Sequence, residues 1–304
     1  MKVTFPSKAQ IREAAELLRC GELVAFPTET VYGLGANALD SIAVEKIFAV
    51  KGRPHTSPLI VHVANVEAAQ ALVTEWPEAA ERLAARFWPG PLTLVLPKRA
   101  LVPDLVTAGF TTVGIRVPRH AVALELLREA GIPVAAPSAN LFTRLSPTAR
   151  KHVSLPGVMV LEGGDSEVGI ESTVVSLAGG ARLLRPGAVL RDELEQVIGP
   201  VAFGDAQQGE APGLHPRHYQ PRTPVVWAGA ELPAGNGAYL FLQLKRMATQ
   251  VVRMPEDPTA YAAHLYRTLH ELDTHGLQWI AVERLPPDAA WAAVQDRLDR
   301  AARY

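Results

Sequence analysis

Lys51 and Arg53 flank a glycine in Lys51-Gly52-Arg53-Pro54, and two cations this close suit a phosphate-rich ligand. A residue before proline is pushed out of the α region, so the stretch is predicted to be extended. Side chains two apart in an extended segment point the same way, which puts Lys51 and Arg53 on one side. Lysine would act as a point charge and arginine as a planar fork, with Gly52 admitting close approach of the ligand. A solvated basic loop is the plainer alternative. Arg116 sits inside the apolar run Val113-Gly114-Ile115-Arg116-Val117, where a buried charge is costly unless paired. Either an acidic side chain or a bound anion is expected beside it, and a substrate carboxylate would satisfy its fork. His62, within Leu59–Val63, needs a partner in the same way, as a core histidine or as a ligand contact.

Other polar residues gather at the predicted ends of strands. Thr28, Glu29 and Thr30 lie in the PTETVYGLG turn, Pro137-Ser138-Ala139-Asn140 follows Val134–Ala136, and Thr111-Thr112 precedes Val113. Gly169-Ile170-Glu171-Ser172 feeds another strand, and Leu184-Arg185-Pro186-Gly187 ends the next. Ser146-Pro147-Thr148 reads as a helix start, with Ser146 as N-cap and Pro147 in the first helical position. The free N–H groups of such a helix end suit a phosphate. Each signal is weak alone; together they describe a pocket for a small anion at strand ends.

The elements that must hold these residues alternate. Helices are predicted at Ser7–Arg19, Ile42–Val50, Pro77–Phe87 and Ala121–Ala130, with strands at Leu23–Pro27, Leu59–Val63, Leu92–Pro97, Val113–Val117 and Val134–Ala136. This is an α/β domain with an open sheet, assigned to residues 1–204. Between Gly204 and Pro224 there are four prolines and three glycines, so 205–223 reads as a linker. Residues 224–304 form a second, smaller α/β unit: strands at Val225–Trp227, Ala238–Leu242 and Trp279–Glu283, helices at Tyr261–His275 and Trp291–Arg303. It alternates like a Rossmann-type layer but has no G-x-G-x-x-G.

Composition narrows the function classes. The 304 residues suggest two domains, and 48% hydrophobic with 20% charged residues is globular. Thirty basic residues against 31 acidic ones argue against a nucleic-acid scaffold, and each part of the chain is itself close to neutral. The single cysteine, Cys20, allows neither an internal disulfide nor a multi-cysteine zinc site, and reads as a small buried helix residue. The N-terminus lacks the apolar core of a signal peptide and no apolar run approaches ~18 residues, so a cytoplasmic protein free of membranes is expected.

PTETVYGLG, KGRP followed by PLIVHV, FWPGPLTLVL, VGIRVP, PSAN…SPTA, GIESTVV and LLRPG occur here in the order seen in YrdC-like proteins. The chain resembles the two-domain form of the L-threonylcarbamoyladenylate synthases. The likeness runs through the linker (PG…RHYQP) and the tail (YAAHLYRTLHELD and DRLDRAA), covering nearly the whole length. It implies an open, twisted, mixed sheet with flanking helices, followed by a small Rossmann-like α/β domain. The reaction it implies joins L-threonine, bicarbonate and ATP into threonylcarbamoyl-AMP and pyrophosphate, with Mg²⁺ carried by the ATP phosphates and no protein metal site. A partner transferase would then use the product on tRNA, so no stable nucleic-acid binding is expected of this chain.

The resemblance also implies roles. Lys51, Arg53, Ser138 and Asn140 would act together in catalysis. Threonine recognition would fall on Thr30, His62, Arg116, the Ala136 backbone and Ser172. ATP contacts would fall on Arg53, Ser57, Thr112, Ser138, Ser146, Arg185 and Tyr219. Arg217, His218 and Tyr219 would close over the pocket as a lid, with the C-terminal domain as its anchor. Phe142-Thr143 stands where the family commonly has Ser-Gly, Ser57 where asparagine is frequent, and Ser176 where aspartate is typical. A non-catalytic RNA-binding or translation-associated protein is the competing reading, disfavoured by neutrality and by the lack of aromatic stacking clusters. The carbamoyl-adenylating domain of hydrogenase-maturation proteins is also similar, but that family carries zinc-finger cysteines for which one cysteine leaves no place. An α/β ATP-binding protein of another kind is the blandest reading.

Overall fold

The computed structural model describes residues 5–204 and 218–302. The linker residues 205–217, Arg217 included, lie outside the described residues. The first sheet is built from β1 (Val24–Phe26), β2 (Gly33–Asn37), β3 (Ile60–His62), β4 (Leu92–Pro97), β5 (Thr112–Arg116), β6 (Val134–Ala135), β7 (Met159–Val160), β8 (Thr173–Ser176), β9 (Arg182–Arg185) and β10 (Ala202–Phe203). Its ten strands run in the order β10-β9-β8-β4-β5-β3-β6-β2-β1-β7. The pairs β1–β7, β3–β5, β4–β8 and β9–β10 are parallel and the others antiparallel, so the sheet is open and mixed. The second sheet orders β11 (Val225–Trp227), β12 (Gly237–Phe241), β13 (Gln250–Arg253) and β14 (Trp279–Val282) as β11-β14-β12-β13, all parallel.

Helices α1 (Lys8–Arg19), α2 (Ser41–Lys51), α3 (Val66–Gln70), α4 (Glu78–Phe87), α5 (Asp104–Thr107), α6 (Ala121–Ala130) and α7 (Arg191–Ile198) accompany the first sheet, and α8 (Pro258–Leu272) and α9 (Ala292–Ala301) the second. Helix α1 shows why the sequence folds this way. Ser7 accepts from the Gln10 backbone N–H while the Gln10 side chain accepts from the Ser7 N–H, a reciprocal cap that satisfies two end donors. Ile11, Ala14, Ala15 and Leu18 then form one stripe, buried with Val122, Leu126 and Leu127 of α6. Each large apolar side chain so buried contributes about 1.5–3 kcal/mol. The middle strands are covered on both faces, and Val61, Leu94 and Ile115 are fully buried. Gly35 lets β2 run close: a Cβ there would lie 2.8 Å from Phe26 Cε1 and from Val134 Cγ1.

Three local expectations fail. Lys51-Gly52-Arg53 is not extended: α2 continues through Lys51 and ends on Gly52, whose φ of 60° is a left-handed cap that glycine adopts without strain. Gly52 thus serves the backbone turn, and the proline acts only after the helix has ended. Ser146 caps no helix. Its hydroxyl donates to Glu171 Oε1 at 2.5 Å, and the Pro147 carbonyl accepts from the Tyr32 N–H at 2.8 Å; the next helical turn is a short 3₁₀ segment at Arg150–His152. Cys20 is exposed at the end of α1, because it falls on the side opposite the buried stripe.

Candidate active site

A cavity of about 50 Å³ forms where residues of β3, β5 and β9 meet the segments before β2 and β8 and after β6, with His218 and Tyr219 on one wall. Thr30, His62, Arg116, Ala136, Ser138, Ser172, Arg53, Arg185 and Tyr219 all line it, so nine of the residues singled out in the sequence converge on one place.

Arg116, on β5, ends the search for its partner. Its Nη2 stands 2.7 Å from Glu29 Oε1 with both side chains buried, a charge contact in which neither atom makes a hydrogen bond among the described residues. Nε donates to the Gly90 carbonyl at 3.1 Å and Nη1 to Thr30 Oγ1 at 2.9 Å. Each terminal nitrogen carries a pair of N–H groups, so the fork keeps donors for a further carboxylate. Thr30 is set in turn by Thr28, whose hydroxyl lies 2.8 Å away and donates to the Val31 carbonyl at 2.6 Å. His62 is buried next door; burial first, and the Arg116 charge second, pull it down to about 3, so it is neutral at physiological pH. Its Nδ1 has no hydrogen-bond partner among the described residues.

Two further cations, Arg53 and Arg185, line the same pocket. Arg53 donates through Nη2 to Ser57 Oγ at 2.5 Å and to the Pro58 carbonyl at 3.0 Å, and its guanidinium lies 5.8 Å from the Phe142 ring. Burial lowers it to about 10, which still leaves it charged near neutrality. Arg185, at the end of β9, donates to the Ser172 carbonyl at 2.9 and 3.1 Å and to Ser172 Oγ at 3.1 Å. Ser172 Oγ is also 2.8 Å from Thr93 Oγ1. Tyr219 adopts φ +61°, and its hydroxyl is buried with no hydrogen-bond partner among the described residues. Burial raises that phenol to about 12.

Lys51 and Asn140 stand behind this surface. Lys51 Nζ donates to the carbonyls of Ser138, at 2.5 Å, and Asn140, fastening the Pro137–Asn140 segment to the end of α2. Burial, then the charge of Arg53, holds its amine well below the usual lysine range. Asn140 donates to the Leu141 and Arg144 carbonyls at 2.8 and 2.9 Å, and lines a separate, wider cleft with Arg144, Lys151 and Arg222. Ser57 reaches the pocket through Arg53. Thr112 lies away from it, in a recess with Pro58, Thr93 and Gly114. Ser146 lies beneath the pocket, bonded to Glu171.

The hydroxyls and the Glu29 carboxylate of the PTET turn suit a substrate amine and hydroxyl by sequence, yet Glu29 is paired with Arg116; Glu171 and Arg297 carry no such local signal. Arg297, on α9, is fully buried and reaches Glu171 Oε2 at 3.0 Å. Nothing in the spacing of a polar helix marks such a residue. Among the described residues no group of three or more His, Cys, Asp or Glu is placed to hold a metal ion, and no helix is long and apolar enough to cross a membrane.

Residues 16–187 match the Sua5/YciO/YrdC family model, described as telomere recombination. The chain belongs to the Sua5/YciO/YrdC family. Residues 189–303 match a second model, the C-terminal domain of threonylcarbamoyl-AMP synthase. The crystal structure of Pyrococcus abyssi Sua5 complexed with L-threonine superposes with a TM-score of 0.90 at 40% identity, covering 97% of this chain and 95% of that one. Threonylcarbamoyl-AMP synthase of Bacillus subtilis is 41% identical over 96% of this chain and 93% of its own length. The enzyme of that name from Schizosaccharomyces pombe is 31% identical over 99% and 91%. Full-length HypF, at 23% identity and a TM-score of 0.52, shares the fold of this family over 62% of the chain.

Proposed function

We propose that this chain makes L-threonylcarbamoyl-AMP from L-threonine, bicarbonate and ATP, releasing pyrophosphate, as the first step of N6-threonylcarbamoyladenosine formation in tRNA. The observation that carries the reading is one pocket joining Arg116, whose fork keeps donors for a carboxylate, to Arg53 and Arg185, which suit phosphates. In this reading Arg116 takes the threonine carboxylate, with Thr30, neutral His62, the Ala136 backbone and Ser172 around the amino acid. Arg53, Arg185, Ser138 and Tyr219 face ATP, Ser57 and Ser146 support them through Arg53 and Glu171, and Thr112 would meet ATP only from the separate recess it lines. Lys51 and Asn140 act with Arg53 and Ser138 by shaping the segment that meets the phosphates.

The threonine amine takes up CO₂ derived from bicarbonate to give a carbamate, with one water and one proton released for each ammonium and bicarbonate consumed. A carbamate oxygen then attacks the α-phosphorus, the bond to the β-phosphate bridge breaks, and pyrophosphate leaves with its electron pair. No enzyme nucleophile is needed, so catalysis rests on positioning and on charge stabilisation. The carboxylates nearest the pocket, Glu29 and Glu171, are each paired with an arginine, which fits Mg²⁺ arriving on the ATP phosphates and not on protein ligands. When bound there, it offsets phosphate charge. Covering the pocket protects a mixed anhydride from water, a role we give to the linker 205–223 between a catalytic 1–204 and a supporting 224–304. The product passes to a transferase acting on tRNA, and the work is cytoplasmic.

The test is a pyrophosphate-release assay with mass detection of the adenylate. Release that needs threonine, bicarbonate and ATP together is expected. No release with all three present, or ATP-independent binding of duplex RNA without turnover, overturns the reading.

A further inference from the structure

We infer that Arg297, supplied by the C-terminal domain, is a positioning residue for the nucleotide side of the active site. The inference rests on the reaction proposed above and gives the second domain a part in it.

The guanidinium of Arg297 reaches several pocket walls from behind. Its Nε donates to Glu171 Oε2 at 3.0 Å, Nη2 to the Glu171 carbonyl at 3.3 Å, and Nη1 to the Pro186 carbonyl at 2.8 Å. Glu171 and Pro186 are the chain neighbours of Ser172 and Arg185, which line the pocket and are themselves joined by Arg185 donating to Ser172. One arginine therefore ties the two loops on the pocket side and Arg297 ties them on the domain side. The loops leave no slack: a Cβ on Gly187 would sit 2.3 Å from the Thr173 nitrogen and 2.8 Å from the Glu171 carbonyl oxygen.

Tyr219 completes the set. Its φ of +61° is uncommon for a residue with a side chain, so its neighbours must hold it. Arg297 lies 5.5 Å from its ring and Tyr266, also from the C-terminal domain, stacks at 5.7 Å. Tyr266 donates to Glu171 Oε2 at 3.1 Å as well, so the same carboxylate collects Arg297, Tyr266 and Ser146. Asp296, 2.8 Å from Arg297 and from Arg300, adds a second carboxylate to the cluster. On the threonine side Arg116 and Thr30 bond to Gly90, Glu29 and each other and, among the described residues, make no hydrogen bond or ion pair with these groups; Ser172, which Arg185 holds, is the threonine contact that the cluster reaches.

The separation sets the test. In Arg297→Lys the charge stays while the fork is lost; in Arg297→Met the stem stays and the charge is lost. Both are compared with wild type by pyrophosphate-release kinetics, by calorimetric titration with ATP alone, and by near-UV circular dichroism to measure the folded fraction. The expected result is a KM and a Kd for ATP raised about tenfold or more in the methionine variant, with the lysine variant between it and wild type. The threonine KM should change less than about threefold. A purely structural role would lower the apparent kcat in proportion to folded protein and leave both KM values alone. That pattern, equal rises in both KM values, or unchanged ATP affinity in folded Arg297→Lys overturns the inference. A wild type that binds ATP without turnover would defeat the proposed reaction, while the ATP titration would still decide the role of Arg297.

Discussion

Replacing Arg116 by methionine leaves Glu29 as a fully buried carboxylate without its cation, and the structure sets the size of the effect. The pair is 2.7 Å apart with side-chain exposures of 4% and 0%. At an effective dielectric of about 20 the attraction at that distance is roughly 6 kcal/mol, most of it offset by the cost of desolvating both charges. Breaking a buried pair by removing one partner costs about 3–5 kcal/mol, because the remaining charge keeps its desolvation penalty. Replacing both, as in Glu29→Leu with Arg116→Met, removes that penalty and should fall within about 2 kcal/mol of wild type. Urea melts of the four proteins of the cycle at one pH measure this through the transition midpoint, with the slope as a check that the transition is unchanged. Threonine KM should rise steeply in every protein lacking Arg116, while ATP affinity holds. A loss under about 1 kcal/mol for Arg116→Met, or a double variant whose loss is the sum of the singles, would refute the assignment of a tight, desolvated pair.

Thr143 stands at φ +69°, a strained value for a β-branched residue, so Thr143→Gly should stabilise by about 1 kcal/mol, read as a higher melting temperature. A lower melting temperature would show that the threonine is held there by contacts of greater worth. Lys51→Met strips two buried carbonyls of their donor; about 2 kcal/mol of stability and at least about a hundredfold in kcat should go, the first by melts and the second by initial rates. Unchanged turnover would remove Lys51 from the catalytic set. His62 is held near 3 when folded against about 6.5 unfolded, so between these values the unfolded chain binds more protons and stability falls as pH drops. Its contribution approaches about 1.4 kcal/mol per pH unit well below 6.5, and His62→Gln should flatten the acid limb of the stability profile by that amount.

The sheet was legible because its strands are short apolar runs bounded by turn residues, as at Leu92–Pro97, and α1 because its cap and stripe are local. The pocket was legible in outline: a lone arginine in an apolar strand has to be explained, and Glu29, far earlier in the chain, is its acidic partner. What the sequence hid is non-local. The proline after Arg53 argued for an extended chain, but packing of Ile47 and Phe48 carries α2 to Lys51, so the two cations face different tasks. Ser146 has the local signature of a cap; a carboxylate 25 residues away claims its hydroxyl instead. Thr143 keeps a glycine-like backbone without a glycine. Arg297 lies 126 residues from Glu171, and no spacing rule connects them.

The burial of Arg297 against Glu171 also limits what can be exchanged between proteins of this build. A chain with the first sheet alone would leave the Glu171 carboxylate and the Pro186 carbonyl facing solvent or an apolar gap, so position 171 would need a new cation or a neutral residue. A foreign second domain grafted after residue 223 would have to bring an arginine to the same point in space. The domains are therefore poor modules: each inherits constraints from the other at a place neither would reveal alone, and recombination between distant relatives should succeed only where the 171–297 pair travels together.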